Sequence, residues 1–359
     1  MIYFFQHNYL RDRQLDTILH WPKDEILNPG IIDDRKGAQV SADYSKARKL
    51  RMSWRQKLPL LNIKMRPRGI PQDAVVYVWG ALIVSGSFIV DLDNPWSLVG
   101  YNLRAMPFYR LLIKSVLLSD RCVDIRCMSE ACQKSLRKLF GEGVFEKSNV
   151  YYPYMEQSIK AIEVQESEMC RFLFIGTQFE IKGGEALLRA FKKVYEQNKN
   201  SRLDIITHLP GQFSTLAGDC DGVHIHEACF TRNEIHSKFM TKADVLIHPT
   251  YVDSFGMVVL EALSYGMAII ATDVYAIPEM VQDGVNGNLI SAPISNWYGV
   301  MPSAAYYDLE NIKSHIHAVD TGKFERHLEK AISRFILDKN WRLNARRASI
   351  RLMEEKFAC

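Results

Sequence analysis

The stretch Thr250–Gly287, TYVDSFGMVVLEALSYGMAIIATDVYAIPEMVQDGVNG, decides the fold. A loop carrying Asp253, Ser254, Phe255 and Gly256 runs straight into an apolar segment that reaches Glu261. Read as a helix, this puts a glycine-containing turn at a helix N-terminus, where unpaired backbone N–H groups favour an anion. Seven residues separate the carboxylates of Asp253 and Glu261, about two helical turns. A phosphate at the helix tip would then have an acid on either side, each able to accept hydrogen bonds from sugar hydroxyls. Ala268–Thr272 (AIIAT) reads as a buried strand and Asn288–Ile290 as another.

Working back from this stretch, the pattern stays regular to about residue 170. Strands are expected at Phe172–Ile175, Arg202–Thr207, Val223–His226 and Asp244–His248, with a helix over Gly183–Glu196. Thr231-Arg232-Asn233-Glu234 spells a capping box opening a helix to about Met240. Strands alternating with helices predict a doubly wound α/β domain. Its first turn reads Ile175-Gly176-Thr177-Gln178-Phe179-Glu180-Ile181-Lys182-Gly183-Gly184. Glycines there permit close backbone approach, and Lys182 offers a positive charge for a diphosphate. The spacing is neither a Walker A loop nor GxGxxG, which disfavours nucleotide-triphosphate hydrolysis and NAD binding. Both candidate stretches are expected on neighbouring helix N-termini at the carboxyl edge of one sheet, the place where ligands bind in open α/β domains.

IGTQFEIKGG, ADVLIHPTYVDSFGMVVLEALSYGMAIIATD and IPEMVQDGVNG resemble the retaining glycosyltransferases of the GT-B fold, family 4, the group 1 glycosyl transferases. The resemblance covers about residues 170–290, with weaker echoes at Met128-Ser129-Glu130 and Tyr151-Tyr152-Pro153. It implies two Rossmann-like domains facing each other across a cleft, and a nucleotide-diphosphate sugar (UDP- or GDP-linked) as donor. Lys182 would neutralise the diphosphate, with Gly176, Thr177 and Gly183 beside it. Backbone N–H groups around Ser254, Phe255, Gly256 and Met257 would cradle the phosphates. Glu261 would take the ribose hydroxyls and Asp253 those of the transferred sugar; Glu279 and Gly287 match as well. The chain departs from the family in three places: aspartate stands at 253 for the usual glutamate, Thr177 and Gln178 for a common arginine, and Phe5-Gln6-His7-Asn8 for a glycine-rich loop. Where the family often carries a histidine–aspartate pair, this chain reads Leu92-Asp93-Asn94-Pro95, leaving Asp93 or Asn94 to stand in. With Lys182, Asp253 and Asp93 as catalytic candidates, transfer is expected with retention, without a metal or cofactor. Asp91-Leu92-Asp93 also spells the metal-binding DxD of GT-A enzymes, and His224 with His226 share a strand face, two weaker metal patterns. Other readings are a nucleotide-sugar epimerase or hydrolase of the same fold, or an inactive sugar-nucleotide-binding partner of another transferase.

Residues 1–165 are expected to form the acceptor-side domain, 166–320 the donor domain, and 321–359 C-terminal helices that the resemblance would carry back toward the first domain. Within the first, Ile2–Phe5, Ala74–Val78, Ser87–Val90, Val123–Cys127 and Val150–Pro153 read as strands, and Tyr109–Leu118 and Ser129–Phe140 as helices. The segment His7–Arg68 fits this alternation poorly and reads as an irregular insertion, and Glu156–Met169 as a linker. Helices are expected at Phe324–Phe335 and Trp341–Phe357. The chain has 359 residues, 47% hydrophobic and 24% charged, a composition that fits two globular domains. No apolar run approaches the ~18–20 residues of a membrane span. Without a basic then apolar leader pattern, and with an odd seven cysteines scattered along it, the chain is expected in a reducing cytoplasm. Between Asp43 and Asp73 there is no acid, while Lys46, Arg48, Lys49, Arg51, Arg55, Lys57, Lys64, Arg66 and Arg68 interleave with Trp54 and leucines. No nucleic-acid motif accompanies this Lys46–Arg68 stretch. It reads as an element for an anionic membrane surface, suited to a saccharide or lipid-linked acceptor in surface-glycan synthesis at the cytoplasmic face.

Overall fold

The computed structural model describes residues 1–5, 10–31, 58–162, 169–305 and 309–357. Lys46, Arg48, Lys49, Arg51, Arg55 and Lys57, together with residues 163–168 of the expected linker, lie outside the described residues. The chain divides into two compact units, with the sequence boundary between Tyr154 and Met155.

The first unit holds β1 (Ile2–Phe4), β2 (Ile63–Lys64), β3 (Val75–Trp79), β4 (Leu82–Ile83), β5 (Phe88–Leu92), β6 (Cys122–Cys127) and β7 (Ser148–Val150). Its helices are α1 (Asp12–Leu19), α2 (Met106–Leu118), α3 (Glu130–Phe140) and α4 (Glu142–Lys147). Five strands make one parallel sheet in the order β1-β3-β5-β6-β7, and β2 pairs with β4 apart from it. The order follows the sequence, so this sheet has no point at which the winding reverses. Three expectations are corrected. The strand read at Ser87–Val90 continues to Leu92, so Asp91 lies within the strand. The strand read at Val150–Pro153 is Ser148–Val150. The segment read as irregular contains α1, because Leu15 and Ile18 form a stripe buried with Phe4, Tyr77 and Trp79.

The second unit is wound in both directions. The strands of its main sheet are β8 (Cys170–Gln178), β9 (Ser201–His208), β10 (Val223–Glu227), β11 (Val245–His248), β12 (Ala268–Thr272) and β13 (Gly287–Ile290), with Trp297–Tyr298 and Met301–Pro302 paired apart from it. Besides a five-residue helix at Ser214–Gly218, its helices are α5 (Gly184–Gln197), α6 (Arg232–Ile235), α7 (Met257–Ser264), α8 (Leu309–Ala318), α9 (Gly322–Leu337) and α10 (Lys339–Leu352). The sheet is parallel throughout, in the order β10-β9-β8-β11-β12-β13. From β8 the chain builds outward to β10, then returns to lay β11 on the other side of β8. The winding therefore reverses between β8 and β11, and a crevice opens there at the carboxyl ends of the strands. Every residue of β11 and β12 is buried, as expected of parallel strands covered on both faces.

The C-terminal helices pack within this unit. Lys193 of α5 lies 2.8 Å from Glu329 and 3.6 Å from Glu325 of α9, while Arg346 of α10 reaches Asp244 at 2.6 Å. Part of the expected linker is also fixed here: Ser158 and Ile159 donate backbone hydrogen bonds to the Ser264 carbonyl at 3.0 and 3.1 Å. Among the described residues no helix is long and apolar enough to cross a membrane.

Candidate functional site

Two loops leave the sheet where its winding reverses, one after β8 and one after β11, and they are laced together by backbone. Tyr251 N–H donates to the Ile181 carbonyl at 3.0 Å. Gly183, at φ +77°, abuts Pro249 so closely that a Cβ would collide with the Pro249 carbonyl. Glycine is thus required there twice, for its left-handed backbone and for the contact. Gly176 clears space for the aliphatic stem of Lys182, whose Cγ would stand 2.9 Å from an added Cβ. The lacing delivers Lys182 to the other loop: its Nζ donates to Asp253 Oδ2 at 2.8 Å and to the Val252 carbonyl at 2.9 Å. Two residues 71 positions apart, picked from separate motifs, form one ion pair.

The Asp253 carboxylate is fully engaged. Oδ1 accepts from the backbone N–H of Ser254, Phe255 and Gly256 at 2.9, 3.2 and 2.9 Å. Oδ2 takes Lys182 and stands 3.0 Å from His248 Nε2. The N–H groups of Ser254, Phe255 and Gly256 thus cradle the protein's own carboxylate, which also meets Lys182 and His248. The physical reason is reach: an aspartate side chain is short enough to fold onto the amides that follow it. Met257 N–H, the first of α7, is not taken by Asp253. Phe255 itself is buried, and Thr177 is exposed at the end of β8.

Electrostatics follow the geometry. Burial alone would raise the Asp253 carboxyl, but the Lys182 ammonium and the His248 hydrogen bond outweigh it and hold Asp253 well below the usual carboxylate range. Burial pushes His248 below its ordinary 6.5, the Lys182 charge adds to this, and the Asp253 hydrogen bond only partly opposes it. His248 is therefore neutral at pH 7. It donates Nε2–H to Asp253, which leaves Nδ1 buried and without a hydrogen-bond partner among the described residues. His248 belongs to none of the motifs above; its signal in the sequence is a polar residue closing an otherwise apolar strand five positions before the acid. Trp297 was missed too. Its Nε1–H donates to the Asp253 carbonyl at 2.6 Å and its ring stacks on Tyr275 at 3.8 Å. Tyr275 holds a left-handed backbone at φ +49°.

Glu261 lies one turn into α7 and is paired differently. Its Oε1 accepts from Arg232 Nε at 2.8 Å, with His236 Nε2 at 3.8 Å, while Oε2 carries no hydrogen bond from the described residues. Arg232 sits in the capping box at the start of α6, which the structure contains as read. It supplies a cation that the Thr177-Gln178 turn lacks, but places it on Glu261. Gly287 is structural, since a Cβ would strike the Ile269 carbonyl. Glu279 ends a 3-10 turn at Ile277–Glu279.

In the first unit, Asp93 follows β5 at the carboxyl edge of its sheet. Tyr101 Oη donates to both carboxylate oxygens, at 3.2 and 3.0 Å, from a residue at φ +63°. Asn94 is buried and caps the next turn by accepting from Trp96 N–H at 3.1 Å. Asp91 is neutralised by Arg13 at 2.8 Å and Tyr77 Oη at 2.7 Å, which argues against the DxD metal pattern. His226 pairs with Asp204 at 2.7 Å. Among the described residues no group of three His, Cys, Asp or Glu side chains is placed to hold a metal ion.

Comparison with known proteins bears on the same residues. A family model described as "Glycosyl transferases group 1" matches residues 170–296. The lipopolysaccharide glucosyltransferase WaaG of Escherichia coli is 30% identical over 128 residues, 34% of this chain and 33% of that protein. The D-inositol 3-phosphate glycosyltransferase of Thermobifida fusca is 30% identical over 132 residues, 33% of this chain and 30% of that protein. These matches span only about a third of the relatives' own lengths. Anabaena Alr3699/HepE, solved in complex with UDP-glucose, has a TM-score of 0.60 at 12% identity, covering 99% of this chain and 95% of that one. That likeness establishes the fold alone, a GT-B fold of two parallel α/β units. Over residues 170–296 the chain is similar to the group 1 glycosyl transferases.

Proposed function

We propose that the chain moves a hexose-type sugar from a nucleotide-diphosphate sugar to a saccharide or lipid-linked saccharide acceptor. The observation that carries this reading is the meeting of Lys182 and Asp253, 2.8 Å apart, at the reversal point of a sheet whose residues match the group 1 glycosyl transferases. Transfer breaks the bond between the anomeric carbon and the diphosphate oxygen and forms one to an acceptor oxygen. Negative charge gathers on the leaving diphosphate, and the acceptor hydroxyl gives up its proton. Lys182 and the N-terminus of α7 supply fixed positive potential where that charge develops, which needs no metal. Glu261, through its unpaired Oε2, accepts from the ribose hydroxyls. Asp253 holds Lys182 and the loop in place, and the reading assigns it to the transferred sugar once the diphosphate draws Lys182 away. In the first unit, Asp93, fixed by Tyr101, is assigned to the acceptor hydroxyl. Attack on the leaving-group face gives retention. A relative named for lipopolysaccharide glucosyl transfer supports a surface-glycan acceptor, and a fold neighbour solved with UDP-glucose supports a UDP-linked donor.

The test is turnover. Purified protein is offered UDP- and GDP-sugars with and without a saccharide acceptor, and the nucleotide released is measured. Acceptor-dependent release supports transfer. Release or isomerised donor without acceptor would make it a hydrolase or an epimerase, and binding without any turnover a sugar-nucleotide-binding partner of another transferase.

A further inference from the structure

Helix α9 (Gly322–Leu337, GKFERHLEKAISRFIL) sorts its charges by face. Phe324, Leu328, Ala331, Ile332 and Phe335 are buried and fix its rotation. On the flank toward α5, Glu325 and Glu329 pair with Lys193 at 3.6 and 2.8 Å. The other flank carries Lys323, His327, Lys330 and Arg334, at i, i+4, i+7 and i+11, so these side chains share one side of the helix. All four residues are exposed. Among the described residues Lys323, His327 and Lys330 form no ion pair, and Arg334 stacks on Trp341 with its guanidinium 3.8 Å from the ring centroid. Solubility alone asks for both signs of charge interspersed, not for cations left unpaired on one flank and acids paired on the other.

The four basic residues wall a groove of ≈ 720 Å³, whose facing side is β13 and the segment 291–293 after it. Strand β13 is the outer strand of its sheet. Asn288 of β13 lines the groove, and its Oδ1 is buried with no hydrogen-bond partner among the described residues. A buried acceptor left open is costly, so the position calls for a donor. Asp283 and Asp320 also line the groove. Each gives one oxygen to a backbone amide, Leu289 N–H at 2.9 Å and Gly322 N–H at 2.8 Å. The second oxygen of each has no partner among the described residues.

This mixture selects the occupant. Cations about one helical turn apart, roughly 5.4 Å, along roughly 16 Å of helix fit a chain that carries acid groups on its successive units. Open acceptors at Asn288, Asp283 and Asp320 fit hydroxyl donors. A bare inorganic anion would use the cations but be repelled by the two aspartates. A nucleic-acid strand would ask for exposed rings on which to stack its bases, and Phe324, which lines the groove, is buried. A ligand with both hydroxyls and acid groups is an acidic saccharide. We infer that the groove between α9 and β13 binds an acidic oligosaccharide, with its acid groups on Lys323, Lys330 and Arg334 and its hydroxyls on Asn288, Asp283 and Asp320. The groove shares no residue with the Lys182, Asp253 and Glu261 site, so it goes beyond the proposed transfer as a second saccharide site that does no chemistry.

The experiment is calorimetric titration of the full chain, without donor, using a galacturonic acid pentamer as the acidic probe and maltopentaose as the neutral one. Wild type is expected to bind the acidic pentamer, more weakly as salt rises, and the neutral pentamer far more weakly. K323A/K330A is expected to lose more than about tenfold in affinity, since two charge-assisted hydrogen bonds go. Its melting temperature should hold, because both side chains are exposed. K138A/K242A, two exposed cations elsewhere, should bind as wild type does. Saturating UDP-glucose should leave the pentamer in place. Wild type that ignores the acidic pentamer would overturn the inference, as would K323A/K330A binding it unchanged. Displacement by UDP-glucose would put the saccharide at the Lys182 site and reject the groove. Inorganic pyrophosphate or a uridine oligonucleotide binding more tightly than the pentamer, and lost in K323A/K330A, would make the groove a site for another anion. Nucleotide release from a donor sugar, measured without the pentamer, reports separately on the transferase reading.

Discussion

At the scale of single residues, Asp253 holds the site together. It caps the helix, pairs with Lys182 and orients His248, so one substitution disturbs three interactions. Asp253→Asn keeps the shape and most amide contacts but discards the charge. It should cost on the order of 1–3 kcal/mol, the range for leaving a partly buried partner uncompensated, read as a lowered urea midpoint at unchanged m-value. The pH dependence has a definite sign. The pKa of Asp253 is depressed in the fold, so its contribution is present above the unfolded carboxylate range and is lost as pH falls. His248 is a base with a depressed pKa, so the unfolded chain binds its proton first. Stability should therefore fall as pH drops below His248's ordinary 6.5. Comparing urea midpoints at pH 7.5 and pH 5.5 checks this, and His248→Gln should shrink the difference; an equal difference in the variant would contradict the assignment. The sequence made Asp253 legible as a site residue through its spacing to Glu261. It did not reveal that the carboxylate would be spent on its own loop, because that depends on His248 and Lys182 arriving from other elements.

At the scale of elements, two loops meet because Gly183 has no side chain. Gly183→Ala should cost at least about 2 kcal/mol from its left-handed backbone and the Pro249 collision, while also weakening nucleotide binding by shifting Lys182. Gly211→Ala, where an added Cβ meets nothing within 4 Å and φ is not positive, is the control and should stay within about 0.5 kcal/mol. Similar denaturation midpoints for the two variants would remove the lacing as the organising contact. Several strands and helices of the second unit were readable to within a few residues from their apolar patterns and caps: AIIAT of β12, an unbroken apolar run closed by Thr272, matches residue for residue. The first unit was harder. Strand β5 holds Asp91 in its interior, and a buried aspartate looks like a turn until Arg13 and Tyr77 are seen on it. The α1 stripe of Leu15 and Ile18 is too short to stand out from a polar segment.

At the scale of the whole molecule, the account rests on one claim: the reversal point between β8 and β11 binds a nucleotide-diphosphate sugar through Lys182. A ligand that binds only the folded state stabilises it, by about 2.7 kcal/mol at a hundredfold excess over Kd. For a chain of this size that corresponds to a rise of a few degrees in Tm. The most direct measurement is the thermal shift produced by UDP, UDP-glucose and GDP-sugars on the wild type and on Lys182→Ala, with Lys193→Ala as a surface control. The account predicts a donor-dependent rise in wild type and in Lys193→Ala, and its loss in Lys182→Ala. A rise that survives unchanged in Lys182→Ala, or no rise with any nucleotide sugar in the wild type, would contradict it.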